Sequence, residues 1–143
     1  MADNELLDNY IDVYMTSFKY IGDLVSAPMK QYQLSFEQFL IMRDLLAGRT
    51  LSISDVAKHR GVTRAAISRQ IKTLLEHDYI VQDRDATDRR RLYLRLTPRG
   101  EEVTNALNTA IHERFYRWVD VIGQPDAGEL LRIMRRVSNE IIK

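Results

Sequence analysis

The chain has 143 residues, 45% apolar and 29% charged, the size and balance of one globular domain with appended helices, which excludes disorder as the main state. It has no cysteine, so disulfides, thiolate metal sites and cysteine-based redox sensing are excluded. It has no apolar run of the ~18 residues that a membrane helix needs; with no basic segment ahead of an apolar one, no signal peptide is expected, and the expected location is cytoplasmic.

Leu7, Ile11, Tyr14, Phe18, Ile21 and Val25 recur at steps of three and four. They predict one long helix over residues 4–26, which Pro28 ends. Ser35 with Gln38 three residues on has the capping-box pattern. It predicts a helix to about residue 47, stopped by Gly48. Ser52 then caps a short helix over 53–60, with Asp55 in its first turn. Gly61-Val62 makes a tight turn, and Thr63 caps a helix over 64–77. Two helices joined by about three residues including a glycine form a helix-turn-helix.

Period two replaces period 3.6 after that. Residues 79–83 read as one strand and Leu92-Tyr93-Leu94-Arg95-Leu96 as another, with residues 84–91 as the loop between them. Thr97 as N-cap, Pro98 at the first helical position, and Glu101 and Glu102 behind it start a helix to about residue 121. Gly123, Pro125 and Gly128 break the chain. A last helix over 127–142 is expected to bury Leu130, Leu131, Met134, Val137 and Ile141.

The expected fold class is mainly α: a winged helix-turn-helix with a small β-hairpin wing, flanked by N- and C-terminal helices that form a dimerisation domain. The expected division is 1–34 for the N-terminal dimerisation helix and connector, 35–97 for the DNA-binding domain and 98–143 for the C-terminal dimerisation helices. A helix of 23 residues is ~34 Å long, longer than the small core beside it. Its apolar stripe calls for a second copy, and a two-fold homodimer is the simplest closed arrangement.

The formal net charge of +1 averages unlike parts. Residues 1–57 carry four Lys/Arg against eight Asp/Glu, a balance of −4. Residues 58–99 carry eleven against five, +6, and residues 100–143 carry six against seven, −1. Blocks of one sign are where partners of the other sign bind. On the 64–77 helix, Ile67, Ile71, Leu74 and Leu75 form the core face, while Ala65, Arg69, Lys72 and Glu76 lie opposite, with Ala66, Ser68 and Thr73 at the borders. Arg64 sits in the first turn. Small residues let a helix sink into the DNA major groove, where Arg and Lys reach guanine edges or phosphates. A solvated basic face is the other reading of this pattern.

The loop is the stronger signal. Arg84, Arg89, Arg90 and Arg91 fall within eight residues, and arginine at a hairpin tip can enter the narrow minor groove. Asp85 and Asp88 are expected to hold arginine side chains in place through charge-assisted hydrogen bonds. The three histidines, His59, His77 and His112, have no metal-ligand spacing. No metal and no cofactor is expected. No phosphate loop or nucleophile–base constellation appears, so an enzyme is not expected.

Ser52-x-x-Asp55-Val-Ala57, Thr63-x-x-x-Ile-Ser68-Arg69-x-Ile71-x-x-Leu74, Ile80-Val-x-x-Arg84-Asp85 and Asp88-Arg89-Arg90-Arg91-x-x-x-Leu96-Thr97-x-x-Gly100 together resemble the MarR family of bacterial transcription regulators. The resemblance implies a dimeric regulator of double-stranded DNA, most often a repressor, released by a small aromatic or anionic effector. It implies that Ser54, Thr63, Ala65, Ala66, Ser68, Arg69 and Lys72 face DNA, that Arg90 is the wing-tip arginine and that Asp88 braces the wing. It also implies an effector pocket between the dimer helices and the winged helix, for which Tyr14, Phe18, Tyr32, Met42 and Arg43 are the expected lining. Two departures stand out. Thr87 takes a place where the family often has arginine, so one wing brace is absent or comes from Arg84 or Arg91. Asp78 replaces a turn glycine, though Asp also tolerates a left-handed conformation. The rival to a DNA-binding regulator is a winged-helix protein-interaction module without direct DNA binding.

Overall fold

The structure is a computed structural model that describes residues 3–142. Helix α1 (Asp3–Val13) passes through a π-helical segment, Tyr14–Phe18, into α2 (Lys19–Ser26). The single long helix expected there is therefore present in outline but wider by one π-helical stretch in its middle. The α-helical stretch ends at Ser26, the bound expected from Pro28. Pro28 itself lies in the first turn of a 3-10 segment, Ala27–Tyr32, where a missing N–H costs no helical bond. The chain turns at Gln33, which has φ +56°.

Helix α3 (Phe36–Asp44) opens on the expected capping box. Gln38 N donates to Ser35 Oγ at 3.1 Å, and Ser35 N donates to Gln38 Oε1 at 2.9 Å. The helix is shorter than expected, and a turn with Ala47 and Gly48 at positive φ follows. The two-residue strand β1 (Leu51–Ser52) leads into α4 (Ile53–Arg60), and Gly61 at φ +67° links it to α5 (Arg64–Glu76). Strands β2 (Ile80–Arg84) and β3 (Leu92–Leu96) form the hairpin, followed by α6 (Pro98–Ile122) and α7 (Gln124–Glu140). Helix α7 starts earlier than expected because Pro125 lies in its first turn and Gly128 inside it; Gly123, at φ +90°, makes the break.

The sheet order is β1-β3-β2, antiparallel throughout, with Ile80 opposite Leu96 and Arg84 opposite Leu92. Strand β1 was not legible in the sequence: two residues show no period.

One core gathers Phe39, Ile41 and Met42 of α3, Val56 and Ala57 of α4, Ile67, Ile71 and Leu74 of α5, Tyr79, Ile80 and Leu94 at the sheet, and Val103 and Leu107 of α6. Met29 and Leu34 from the connector join it. Burying this apolar surface, at ~25 cal/mol per Å², fixes α5 by its inner face and leaves the outer face to solvent.

The base of the wing is locked to α6. Thr97 caps the helix, its Oγ1 accepting from Gly100 N at 2.9 Å and donating to Asp78 O at 2.7 Å. Thr97 N donates to Tyr79 O at 3.0 Å. Asp78 adopts φ +60°, the left-handed turn foreseen for it. Arg114 of α6 donates to Leu24 O at 2.9 Å and Asp23 O at 3.3 Å, tying α2 to α6.

The ends of the chain behave differently. Leu131, Met134 and Val137 of α7 and Ile141 just past its end are exposed at 40–74%, Leu130 is half-buried, and Leu7, Tyr10, Ile11, Tyr14 and Phe18 at the other end are exposed too. Apart from Leu130, the expected burial of the α7 stripe is therefore not achieved within one chain, where α7 packs chiefly on α6.

Candidate nucleic-acid interface

Thr63 N-caps α5, its Oγ1 accepting from Ala66 N at 3.1 Å. This fixes where the helix starts, and the buried trio Ile67, Ile71 and Leu74 fixes its rotation. Ala65, Ser68, Arg69 and Lys72 are then exposed along the outer face, Ala66 is half-buried, and Thr63 and Arg64 are exposed at the N-terminal end. Ser54 is exposed in the first turn of α4. Among the described residues, Arg64, Arg69 and Lys72 have no ion-pair partner. The small residues and free cations thus occupy the face the sequence assigned to them.

The hairpin loop is held by its own polar groups. Asp85 N donates to Arg91 O at 3.0 Å, and Arg91 N donates to Asp88 O at 3.0 Å. Asp85 Oδ1 accepts from both Thr87 N and Thr87 Oγ1 at 2.9 Å. These bonds, the backbone one first, hold the Asp85 carboxyl below the usual aspartate range. Asp88 Oδ1 accepts from Arg90 N at 3.0 Å and lies 3.9 Å from Arg90 Nε. The Arg90 side chain is 97% exposed, and Arg89 and Arg91 are exposed beside it. Arg91 lies over the Tyr93 ring, 6.0 Å from its centroid.

One expectation for the loop changes. Asp85 bonds Thr87 rather than an arginine side chain, because Thr87 puts both an N–H and a hydroxyl two residues away, inside the reach of a short aspartate. Arg84, expected among the DNA-facing residues and also as one of two possible wing braces, is exposed, and its Nη1 donates to Arg89 O at 2.7 Å. The pair of Asp83 and Arg95, 2.8 Å apart on the hairpin, was not singled out from sequence. Its signal was present in the register, since Val81 opposes Arg95 and Asp83 is the diagonal neighbour on the same face.

The five effector-pocket residues do not share one cavity. Tyr14 and Phe18 stack with ring centroids 6.4 Å apart and, with Tyr10, Ile11 and Met15, line a shallow groove of ≈ 430 Å³. Met42 is fully buried in the core, Tyr32 is half-buried and Arg43 is exposed. A second cleft, of ≈ 390 Å³, lies behind α5 among Leu40, Ile41, Arg60, Val62, Ala66 and Gln70.

His59 and Arg60 approach Asp44 at 3.6 and 3.3 Å, joining α4 to α3. No group of three or more potential metal ligands occurs among the described residues. None of the described helices is long and apolar enough to cross a membrane.

The helix-turn-helix, the three-stranded sheet with its arginine-tipped wing, and the flanking helices define a winged-helix transcription regulator. Residues 23–107 match the model of the family described as transcriptional regulator SarA/Rot, and the chain belongs to that family. An uncharacterised HTH-type transcriptional regulator of Staphylococcus aureus strain Mu50 is 21% identical over 145 residues, covering 100% of this chain and 97% of that protein. The HTH-type transcriptional regulator FarR of Neisseria gonorrhoeae is 26% identical, covering 92% and 83%. Among solved structures, AbsC, a MarR-family transcriptional regulator from Streptomyces coelicolor, superposes with a TM-score of 0.77 at 17% identity over 99% of this chain and 96% of that one. Staphylococcus aureus MarR, solved in complex with salicylate and kanamycin, gives 0.76 at 19% identity over 96% and 93%. The fold is that of the MarR regulators.

Proposed function

We propose that the chain is a homodimeric repressor acting in the cytoplasm. It reads a palindromic operator with α5 in the major groove and the wing in the minor groove. The observation that carries this reading is the set of cations Arg64, Arg69 and Lys72 on α5, which have no ion-pair partner among the described residues, together with the outward Arg90 at the wing tip. Free guanidinium and ammonium groups on a helix of small exposed residues suit phosphate and guanine contacts.

The exposed terminal stripes support the dimer, with residues 1–34 and 98–143 as its dimerisation unit. A small aromatic or anionic effector, of the class that the salicylate-bound relative holds, releases the operator by changing the separation of the two α5 helices, which must match half-sites ~34 Å apart.

The test is operator binding against salt. Affinity is expected to fall steeply from 50 to 200 mM salt. Arg69→Ala and Arg90→Ala each weaken binding by about 1–3 kcal/mol without changing the unfolding midpoint. Both variants binding a selected operator as tightly as the parent would refute the site. An absence of DNA affinity at low salt, with an acidic protein bound through the wing, establishes the interaction-module reading instead.

A further inference from the structure

Four arginines crowd the wing, and their surroundings divide them into two kinds. Arg90 projects into solvent. Arg84 stands at the end of β2, opposite Leu92, and spends its guanidinium inside the loop, on the carbonyl of Arg89 five residues on. That bond is short, 2.7 Å, and charge-assisted. The other ties of the loop are two main-chain bonds, Asp85 N to Arg91 O and Arg91 N to Asp88 O, the aspartate turns at Thr87 and Arg90, a bond from the Asp88 backbone N–H to the Asp85 carboxyl, and Arg91 on the Tyr93 ring. Of these, Asp85–Thr87 and Asp88–Arg90 are local. The Arg84 bond is a side-chain tie from the strand to the far limb of the loop.

We infer that Arg84 is a positioning residue, which holds the loop so that Arg89 and Arg90 point outward, and does not itself contact the partner. The inference rests on the DNA-binding reading for its consequence but not for its geometry. A five-donor planar fork can hold a carbonyl at this distance from a strand end. A lysine carries the same charge with a shorter, single-headed donor and does not replace it. The four arginines therefore contribute differently: Arg84 to the shape of the wing, Arg90 to its contact.

The experiment has an arm without DNA and an arm with it. Hydrogen exchange of the free protein is measured for the parent, Arg84→Gln and Arg84→Lys. The amides of Asp85 and Arg91, both bonded in the loop, are expected to exchange about tenfold faster in both variants, while the amides of α5 keep their protection. Unchanged exchange at Asp85 and Arg91 in both variants overturns the proposal, whatever DNA does.

In the second arm, operator binding is measured as a mutant cycle. Arg84→Gln is expected to weaken binding about tenfold in the parent and less than twofold in a background with both Arg89→Ala and Arg90→Ala, because its effect runs through those two side chains. Arg84→Lys behaves as Arg84→Gln. Additive losses, or full binding by Arg84→Lys, mark Arg84 as a charge that touches phosphate and overturn the proposal. A parent that binds no DNA refutes the proposed function and leaves the exchange arm to decide the brace.

Discussion

The carbonyl oxygen of Tyr79 fills the space that a β-carbon at position 100 requires, with Leu96 Cδ2 3.2 Å away on the same side. Backbone cannot swing aside as a side-chain tip can, so Gly100→Ala must part α6 from the wing base. The expected result is a loss of about 1–3 kcal/mol, read as a lower urea midpoint with an unchanged slope; a midpoint equal to the parent's refutes the close approach. Position 100 shows where legibility stopped at this scale. Thr97 was readable as a cap, since a cap is a local rule of three residues. The reason for glycine was not, because the colliding atom belongs to a residue 21 positions earlier. Arg84 stayed open between contact and brace for the same kind of reason: its residue type says cation, and only the folded loop says that a carbonyl stands in front of it.

Among the elements, local chemistry was sufficient wherever a side chain closes its own helix. Ser35, Ser52, Thr63 and Thr97 all cap as the sequence implies. At Ser52 the cap is reciprocal: Asp55 N donates to Ser52 Oγ at 3.0 Å and Ser52 N to Asp55 Oδ2 at 3.1 Å. The backbone bond from Ser52 is the main cause that lowers the Asp55 pKa below its ordinary value. A carboxyl lowered on folding stabilises the fold above its unfolded value, ~3.9, and that contribution is lost as pH falls through the folded value. Asp55→Asn is therefore expected to lower the melting temperature at pH 7 and to match the parent only once the pH has fallen below the folded value of Asp55. Thermal melts across that range check it, and a difference that stays constant with pH contradicts it. The π-helical stretch at Tyr14–Phe18 and the 3-10 segment at Ala27–Tyr32 escaped the sequence reading because apolar steps of three and four are compatible with all three helix types over so few residues.

At the scale of the molecule, a compact winged helix carries two ends that its own core does not cover. Met134 is 48% exposed on α7, so a charge there does not disturb the single chain. In the proposed dimer that stripe is covered by the second copy, and Met134→Glu is expected to shift the protein from dimer to monomer in sedimentation equilibrium while leaving the circular dichroism of the winged helix in place. A dimer that survives the charge places the interface elsewhere. The two acidic ends and the +6 middle were legible as a separation of charge because charge needs no tertiary knowledge. The burial of α7 was not, because an apolar stripe says that it must be covered without saying by which chain. In the proposed dimer, the uncovered ends would also bring concentration into regulation: dimer population rises with the square of free chain, so a protein gripping both half-sites only when paired would respond to its own abundance with a threshold.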